Sequence, residues 1–392
     1  MDAALLNRLR EATPGWGQAL HLNHGGASLM PRAARDALAA QLELEARMGP
    51  MDAGIAAAPA LAAVRATAAR LINAAPDEIA FAGSGSAAFG GLFAALFPPS
   101  DPLRAGDRIL VGRHEWGGNV ATYERAAARS GATVEAIPCR ADGAVDAEAL
   151  AGMLDARVRL VSLTWLPANG GLINDAAAVG RVTRAAGVPY LIDAGQALGQ
   201  LPVDVRLLGC DMLKSAGRKH LRGPRGTALI YVRRGFVERL DPPWVDVRSA
   251  DCRDASLLET SELPVALWLA LGQSLELALE LGIDAIAARV QRLAALARER
   301  LAAVPGLALR DLGDGPRSGL VSFTLAGTDP MVLKARLAER RIHIGANGVP
   351  YTPLDMRARG LDAIARLSFS YLNDEADVET VARELERVSA PA

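Results

Sequence analysis

The chain is predicted to adopt an α/β architecture. A large domain with a mainly parallel sheet flanked by helices precedes a smaller α+β C-terminal domain. Three observations carry this. Short apolar runs alternate with helical stretches from residue 79 to about 232, the pattern of strands joined by crossover helices. Several of these runs, such as 188–192, are continuously apolar, as in strands covered on both faces. The residues able to do chemistry fall just past predicted strand ends, where open parallel sheets place their ligands.

At 392 residues the chain is too long for one small core, and it divides into a leading segment 1–19, a large domain 20–284 and a small domain 285–392. A strand at 20–23 gives way to His24, Gly25, Gly26 and Ser28. Pro31 opens a long helix, and an alanine-rich helix covers 59–73. Strands at 79–81, 108–111, 133–137, 160–164, 188–192 and 227–232 build the sheet, with helices at 120–130, 146–154 and 175–186 between them. The polar stretch 241–261 reads as an active-site or subunit-interface loop, the place where a partner chain would approach. Helical stretches at 262–282 and 285–304 follow. Strands 307–309, 320–325, 342–344 and 364–370, a helix at 331–340, a loop at 345–360 and a closing helix at 375–388 make the α+β end.

Composition excludes several classes. A formal net charge of −1 gives no electrostatic reason to bind nucleic acid or an anionic membrane. No window approaches the roughly 20 apolar residues of a membrane span, and residues 1–17 lack a basic-then-apolar signal pattern. Cys139, Cys210 and Cys252 are scattered, as are the five histidines, so neither a disulfide framework nor a metal site is expected. A cytoplasmic protein with reduced thiols is the expectation.

The densest chemistry lies in 193–226. Asp193 ends a predicted strand, with Gln196 three residues on, and Lys219 sits in a glycine-rich loop before the next strand. Of 43 basic residues only Lys214, Lys219 and Lys334 are lysines. A lone loop lysine is ordinarily a solvated charge. A surface biased to arginine, however, leaves lysine where a neutralisable amine is required, because arginine does not lose its proton. The strand at 79–81 runs into GSGSAAF, where a helix amino end suits a phosphate; by itself the turn reads equally as a tight corner with no ligand. Trp116 follows a strand end, fit to pack or to stack on a flat ligand. A flat aromatic aldehyde carrying a phosphate needs a lysine for an imine, an acid at its ring nitrogen, a stacking ring and a phosphate cup. Lys219, Asp193, Trp116 and the 83–86 turn match those needs. Gln196 and Asn169 are expected to hydrogen-bond its phenolic oxygen.

On the motifs DAGQ at Asp193, GRKHLRGPRGTALIYV around Lys219, GSGSAAF, HEWGGN and ARLSFSYLNDEADVE, the chain resembles the pyridoxal-phosphate enzymes of the class V aminotransferase group, fold type I, from about residue 20 to 388. That group also holds cysteine desulfurases and isopenicillin N epimerases. The resemblance implies pyridoxal 5'-phosphate as cofactor, Lys219 as Schiff-base lysine, Asp193 as ring-nitrogen partner and Gln196 as phenolate contact. It places Trp116 at the stacking position and Gly85 and Ser86 in the phosphate turn. Arg366 becomes the clamp for a substrate α-carboxylate. It also implies a small amino-acid substrate and a homodimer with the site at the subunit interface. His24, Ser28 and Tyr351 are expected to line the substrate pocket.

Departures narrow the activity. The loop 345–360 has no cysteine to carry a persulfide, which weakens a desulfurase reading. Arg218 stands where relatives usually have histidine. Ala216 stands where they have a phosphate-binding hydroxyl, with Ser215 the nearest hydroxyl. The block from Gly217 to Gly226 resembles ergothioneine-pathway lyases that cleave hercynylcysteine sulfoxide. The expected reaction is a C–S lyase: Lys219 removes the α-proton of a cysteine-derived substrate, its β-sulfur group leaves, and pyruvate and ammonia result. An aminotransferase or an epimerase of the same fold is the alternative.

Overall fold

A computed structural model describes residues 1–244, 246–247 and 251–389. The strands are β1 (Leu20–Leu22), β2 (Ile79–Ala82), β3 (Arg108–Gly112), β4 (Thr133–Ile137), β5 (Val158–Thr164) and β6 (Tyr190–Asp193), then β7 (Met212–Lys214), β8 (Ala228–Val232), β9 (Leu307–Leu309), β10 (Leu320–Leu325), β11 (Ile342–Gly348) and β12 (Ala363–Ser368). Seven form one sheet in the order β2-β8-β7-β6-β5-β3-β4; the other five form β1-β11-β12-β10-β9. Within the larger sheet only β8 runs against its neighbours. The carboxyl ends of β2, β3, β5, β6 and β7 therefore share one edge, and the amino end of β8 joins them.

The central strands are apolar on both faces because both are covered. Leu110, Val161, Ile192 and Leu213 are wholly buried, and each such side chain contributes roughly 1.5–3 kcal/mol relative to exposure. The first helices are α1 (Ala3–Glu11), α2 (Arg32–Met48), α3 (Pro50–Leu71), α4 (Gly85–Leu96) and α5 (Gly117–Ser130). Helix α4 fills one face with Phe89, Leu92 and Leu96. Helix Ala176–Ala186 approaches closely enough that a Cβ on Gly180 would lie 2.0 Å from the Leu208 carbonyl oxygen.

Three expectations change. The second long helix begins at Pro50, not at 59, and Pro59 lies inside it. Proline removes an N–H from the helical ladder, but Pro59 and Ile55 are exposed, so water can satisfy the carbonyl left over. The loop expected at 345–360 is mostly structured: Gly345–Gly348 pair with β12, and a short helix covers Pro353–Ala358. Glycine and asparagine are weak strand formers, and only pairing makes those residues a strand. Third, β1 falls within 20–284 yet pairs in parallel with β11, far along the chain, in the sheet of the C-terminal part. Helix α1 joins it there through Arg10, which pairs with Asp374 at 2.7 Å. Of the stretch expected to meet a partner chain, 241–261, residues 245 and 248–250 lie outside the described residues.

Candidate active site

Strand register sets the first contacts. Asp193 and Lys214 are paired residues at the carboxyl ends of β6 and β7, so their side chains leave the sheet on one face. Lys214 Nζ lies 2.5 Å from Asp193 Oδ2. Asn119 on α5 donates to the same oxygen at 3.1 Å, and the Gly195 N–H donates to Oδ1 at 2.9 Å. Burial pushes the Asp193 carboxyl up, but Lys214, Lys219 and the Gly195 N–H outweigh it and hold it below its ordinary value. Behind it Glu115 is wholly buried and accepts from Ser162 Oγ (2.7 Å) and the Thr164 N–H (2.6 Å). Burial raises the Glu115 carboxyl against its bonds to Thr164 and Ser162, and the charge of Asp193 adds to the rise.

Around Asp193 a cavity of about 340 Å³ is lined by the 83–86 turn, Trp116, Gln196, Lys214 and Lys219. A second cavity of about 280 Å³ is lined by Asn23, Arg218, Lys219, Lys334, Tyr351 and Arg366. The two share Trp116, Ala168, Gln196, Arg218, Lys219 and Arg225. They are one site with Lys219 at the junction. A larger groove of about 710 Å³ beside Trp16 and Arg340 contains none of these residues.

Lys219 is enclosed by the cavity walls although its tip reaches the open space. Desolvation lowers its ammonium to about 7; Asp193 opposes this, and Lys214, Arg218 and Arg366 add to it. Near neutral pH it is a free amine as often as an ammonium. Its Nζ stands 5.9 Å from the centroid of the Trp116 ring. Trp116 is held by its backbone N–H on Thr164 Oγ1 (3.0 Å) and by the edge of Tyr351, 5.4 Å between centroids. The turn after Trp116 leaves no space: a Cβ on Gly117 would lie 1.8 Å from the Pro350 carbonyl oxygen. Gly117→Ala is therefore expected to push apart the two loops that carry Trp116 and Tyr351. A drop of roughly 1–3 kcal/mol in unfolding free energy, read from urea denaturation, checks this.

At the turn after β2, Ser84 caps α4 and its Oγ accepts from the Ala87 N–H at 3.0 Å. The Gly85 and Ser86 N–H groups are left without intrahelical partners at the positive end of the helix. On the other side Arg366 is 4% exposed. Its guanidinium donates to the Ala168 carbonyl and to Asn23 Oδ1, and its Nε has no partner. Among the described residues no carboxylate pairs with it. Burial lowers it to about 10, Tyr351 opposes that, and Arg218 adds to it. A buried guanidinium with an open face has the charge and donor geometry that suit a carboxylate.

These features meet the needs of pyridoxal phosphate. An ionised acid, a low-pKa amine, an indole ring and a free helix amino end line one cavity. Gln196 Oε1 is a buried acceptor with no partner, while its amide nitrogen donates to Gly25 O (2.9 Å) and keeps a second hydrogen.

The pattern of the aminotransferase class-V family matches residues 22–381. The chain belongs to the aminotransferase class-V family. It is a pyridoxal-phosphate-dependent enzyme of mixed α/β, fold type I architecture. A cysteine desulfurase of Escherichia coli is 30% identical over 298 residues, 73% of this chain and 72% of that protein. The apo structure of a cysteine desulfurase from Thermococcus onnurineus superposes with a TM-score of 0.88 at 22% identity, covering 98% of both chains. A cystine C–S lyase, solved with its reaction product cysteine persulfide, gives 0.85 at 24% identity over 95% of this chain and 99% of that one.

In this class V enzyme Gly85, Ser86, Trp116, Asp193, Gln196, Arg218 and Lys219 line the cavity around Asp193, and Tyr351 and Arg366 line the adjoining one. Four expected residues do not reach the cavity. Ser215 points the other way from Lys214, because successive strand residues face opposite sides; its Oγ is buried against the Leu229 N–H at 3.4 Å. Asn169 is tied to Thr352 Oγ1 at 2.9 Å and to the Asn347 amide at 2.7 Å, and Ala168 faces the cavity instead. His24 and Ser28 bond to each other, Nδ1 to Oγ at 2.9 Å, and brace the turn from behind. Burial pushes the His24 imidazole well below its usual value, with His21 adding to the effect. Asn23, one residue earlier, is the side chain that lines the site. Sequence reading also missed Lys214, whose signal was its rarity and its place two residues past Met212 on a buried strand.

Proposed function

We propose that this enzyme is a C–S lyase that cleaves an S-substituted cysteine, or its sulfoxide, by β-elimination. The observation that carries the reading is Lys219, a low-pKa amine at the junction of the two half-sites and on the Arg366 side of the cofactor cavity, with all three cysteines elsewhere. When bound, pyridoxal phosphate supplies the electron sink that makes an amino acid's α-C–H bond acidic. Asp193 would hold its ring nitrogen, the 83–86 turn and Arg218 its phosphate side, and Trp116 and Gln196 its faces and edge.

Arg366 binds the substrate α-carboxylate through a planar pair of N–H donors. Lys219 takes the α-proton as general base and returns a proton to the departing group. The Cβ–S bond breaks, and its electron pair leaves with sulfur. With water, R–S–CH2–CH(NH3+)–COO− becomes R–SH, pyruvate and ammonium; a sulfoxide gives R–SOH instead. No protein thiol lines the cavity to receive the sulfur: Cys210 is in the core, and Cys252 is bound to Asp254 and Ser256. The similarity to cysteine desulfurases and to a cystine C–S lyase supports sulfur chemistry on cysteine derivatives.

Within that class a cysteine-conjugate sulfoxide of the ergothioneine pathway is the substrate we favour, on the likeness of the 217–226 block. Arg222 of that block is structural, holding Leu29 O, Tyr371 OH and Thr13 Oγ1. The reading includes a homodimer in the cytoplasm. Met51 and Ile55 on α3, 75% and 71% exposed, are apolar surface that a second copy would cover, and sedimentation velocity gives the mass.

The test is a panel of S-substituted cysteines and sulfoxides assayed for pyruvate. Stoichiometric pyruvate and ammonia are expected. Amination of an added keto acid without pyruvate would mark an aminotransferase, and racemised substrate without C–S cleavage would mark an epimerase; either result sinks the lyase.

A further inference from the structure

Lys214 lines the cofactor half of the cavity, and no step above uses it. It is 5% exposed. Besides its contact with Asp193 Oδ2 at 2.5 Å, its Nζ lies 3.7 Å from the point where a Cβ on Gly85 would stand. The methyl group of Ala216 is also 3.7 Å from that point. Phe89, on the next turn of α4, has its ring centroid 6.0 Å from Nζ. The ammonium thus stands between the acid and the open N–H groups of the 83–86 turn, beside a residue that offers no hydrogen bond.

This placement is electrostatically incomplete. The ammonium and the positive end of α4 converge on one spot. Asp193 is the only carboxylate among the described residues lining this half of the cavity, and in the loaded enzyme it also faces the ring nitrogen. One carboxylate then serves two cations, at a cost in desolvation that a further anion would relieve. An ammonium has three N–H donors and a full charge, so it can bond Asp193 and a phosphate oxygen together.

We propose that Lys214 is a non-covalent phosphate ligand of the cofactor, supplying from β7 the donor that Ala216 lacks. The arrangement separates the work of the two buried lysines: Lys219 bonds the aldehyde carbon, and Lys214 anchors the phosphate. It holds whichever sulfur substituent the substrate carries.

The experiment titrates the cofactor-stripped full chain and its Lys214→Met variant with pyridoxal phosphate and with pyridoxal, which lacks the phosphate. Protein fluorescence and cofactor absorbance report binding. Affinity for pyridoxal phosphate is expected to fall roughly 10- to 100-fold in the variant, the size of one buried charge-assisted hydrogen bond. Affinity for pyridoxal is expected to stay near the wild-type value, because loss of Lys214 leaves Asp193 with the ring nitrogen as its nearest new cation. Equal losses for both ligands would reduce Lys214 to a partner of Asp193 and overturn the proposal; so would no loss for either. Should Lys214→Met fail to fold, Lys214→Gln, which keeps a neutral donor, is carried through the same pair of titrations and decides by the same criterion.

Discussion

Lys219→Ala is expected to lower turnover by roughly 10²- to 10⁴-fold, the range that loss of a positioned general base produces. Borohydride reduction of the wild-type enzyme is expected to fix the cofactor on Lys219. Attachment at Lys214 or Lys334, read by peptide mass, would overturn the assignment. The same residue sets a pH dependence. Only the neutral amine attacks an aldehyde, and the ammonium is lowered to about 7 by burial. Cofactor capture by the stripped protein should therefore accelerate with pH and reach half its limiting rate near 7. Stability carries the same sign. The unfolded chain keeps this proton up to the usual 10.5 while the folded chain has released it above about 7, so this group's contribution to stability rises with pH across that window. Urea midpoints of the stripped wild-type and Lys219→Ala chains, compared from pH 7 to 10, isolate the slope.

Arg366→Gln is the second large effect. Truncating one partner of a buried charge pair costs about 2–5 kcal/mol, or roughly 30- to 5,000-fold in kcat/KM. The loss should appear mainly in KM, because a clamp on the carboxylate would act in ground and transition states alike. Arg366→Lys should recover little, since a point donor does not reproduce the planar fork. The decisive comparison is a substrate analogue without the α-carboxylate. Wild type and Arg366→Gln should then bind it equally, and a persisting difference would show that Arg366 acts through packing.

The parts of the site readable in sequence are those that chemistry restricts to one residue type. Lys219 could be picked out because an imine needs an amine that can lose its proton. Asp193 could be picked out because it closes an apolar strand, where an acid is costly without a partner. The helix after β2 announces its amino end through Ser84 and the glycines around it. Ser215, His24, Ser28 and Asn169 were misplaced for a common reason. Each has a neighbour of suitable chemistry or position: Lys214, Asn23, Ala27 and Ala168 face the cavity in their stead. A one-residue step reverses the direction of a strand side chain, and motif spacing alone does not resolve that step.

By itself the sequence determined the α/β class and the strand ends at which chemistry gathers; it singled out Lys219 and Asp193 by residue chemistry and Arg366 by motif resemblance, and the structure brings all three to adjoining cavities. Periodicity and residue chemistry are local, and they survive without coordinates. Only the tertiary structure decided that β1 joins the sheet of β11 and so brings Asn23 to Arg366. It alone showed that Gly345–Gly348 continue a strand, and that Lys214 stands beside Asp193 instead of facing solvent. Those outcomes depend on pairing between distant segments. The register of β6 against β7 makes Asp193 and Lys214 neighbours, and hydrogen bonds between two strands are a property of the pair.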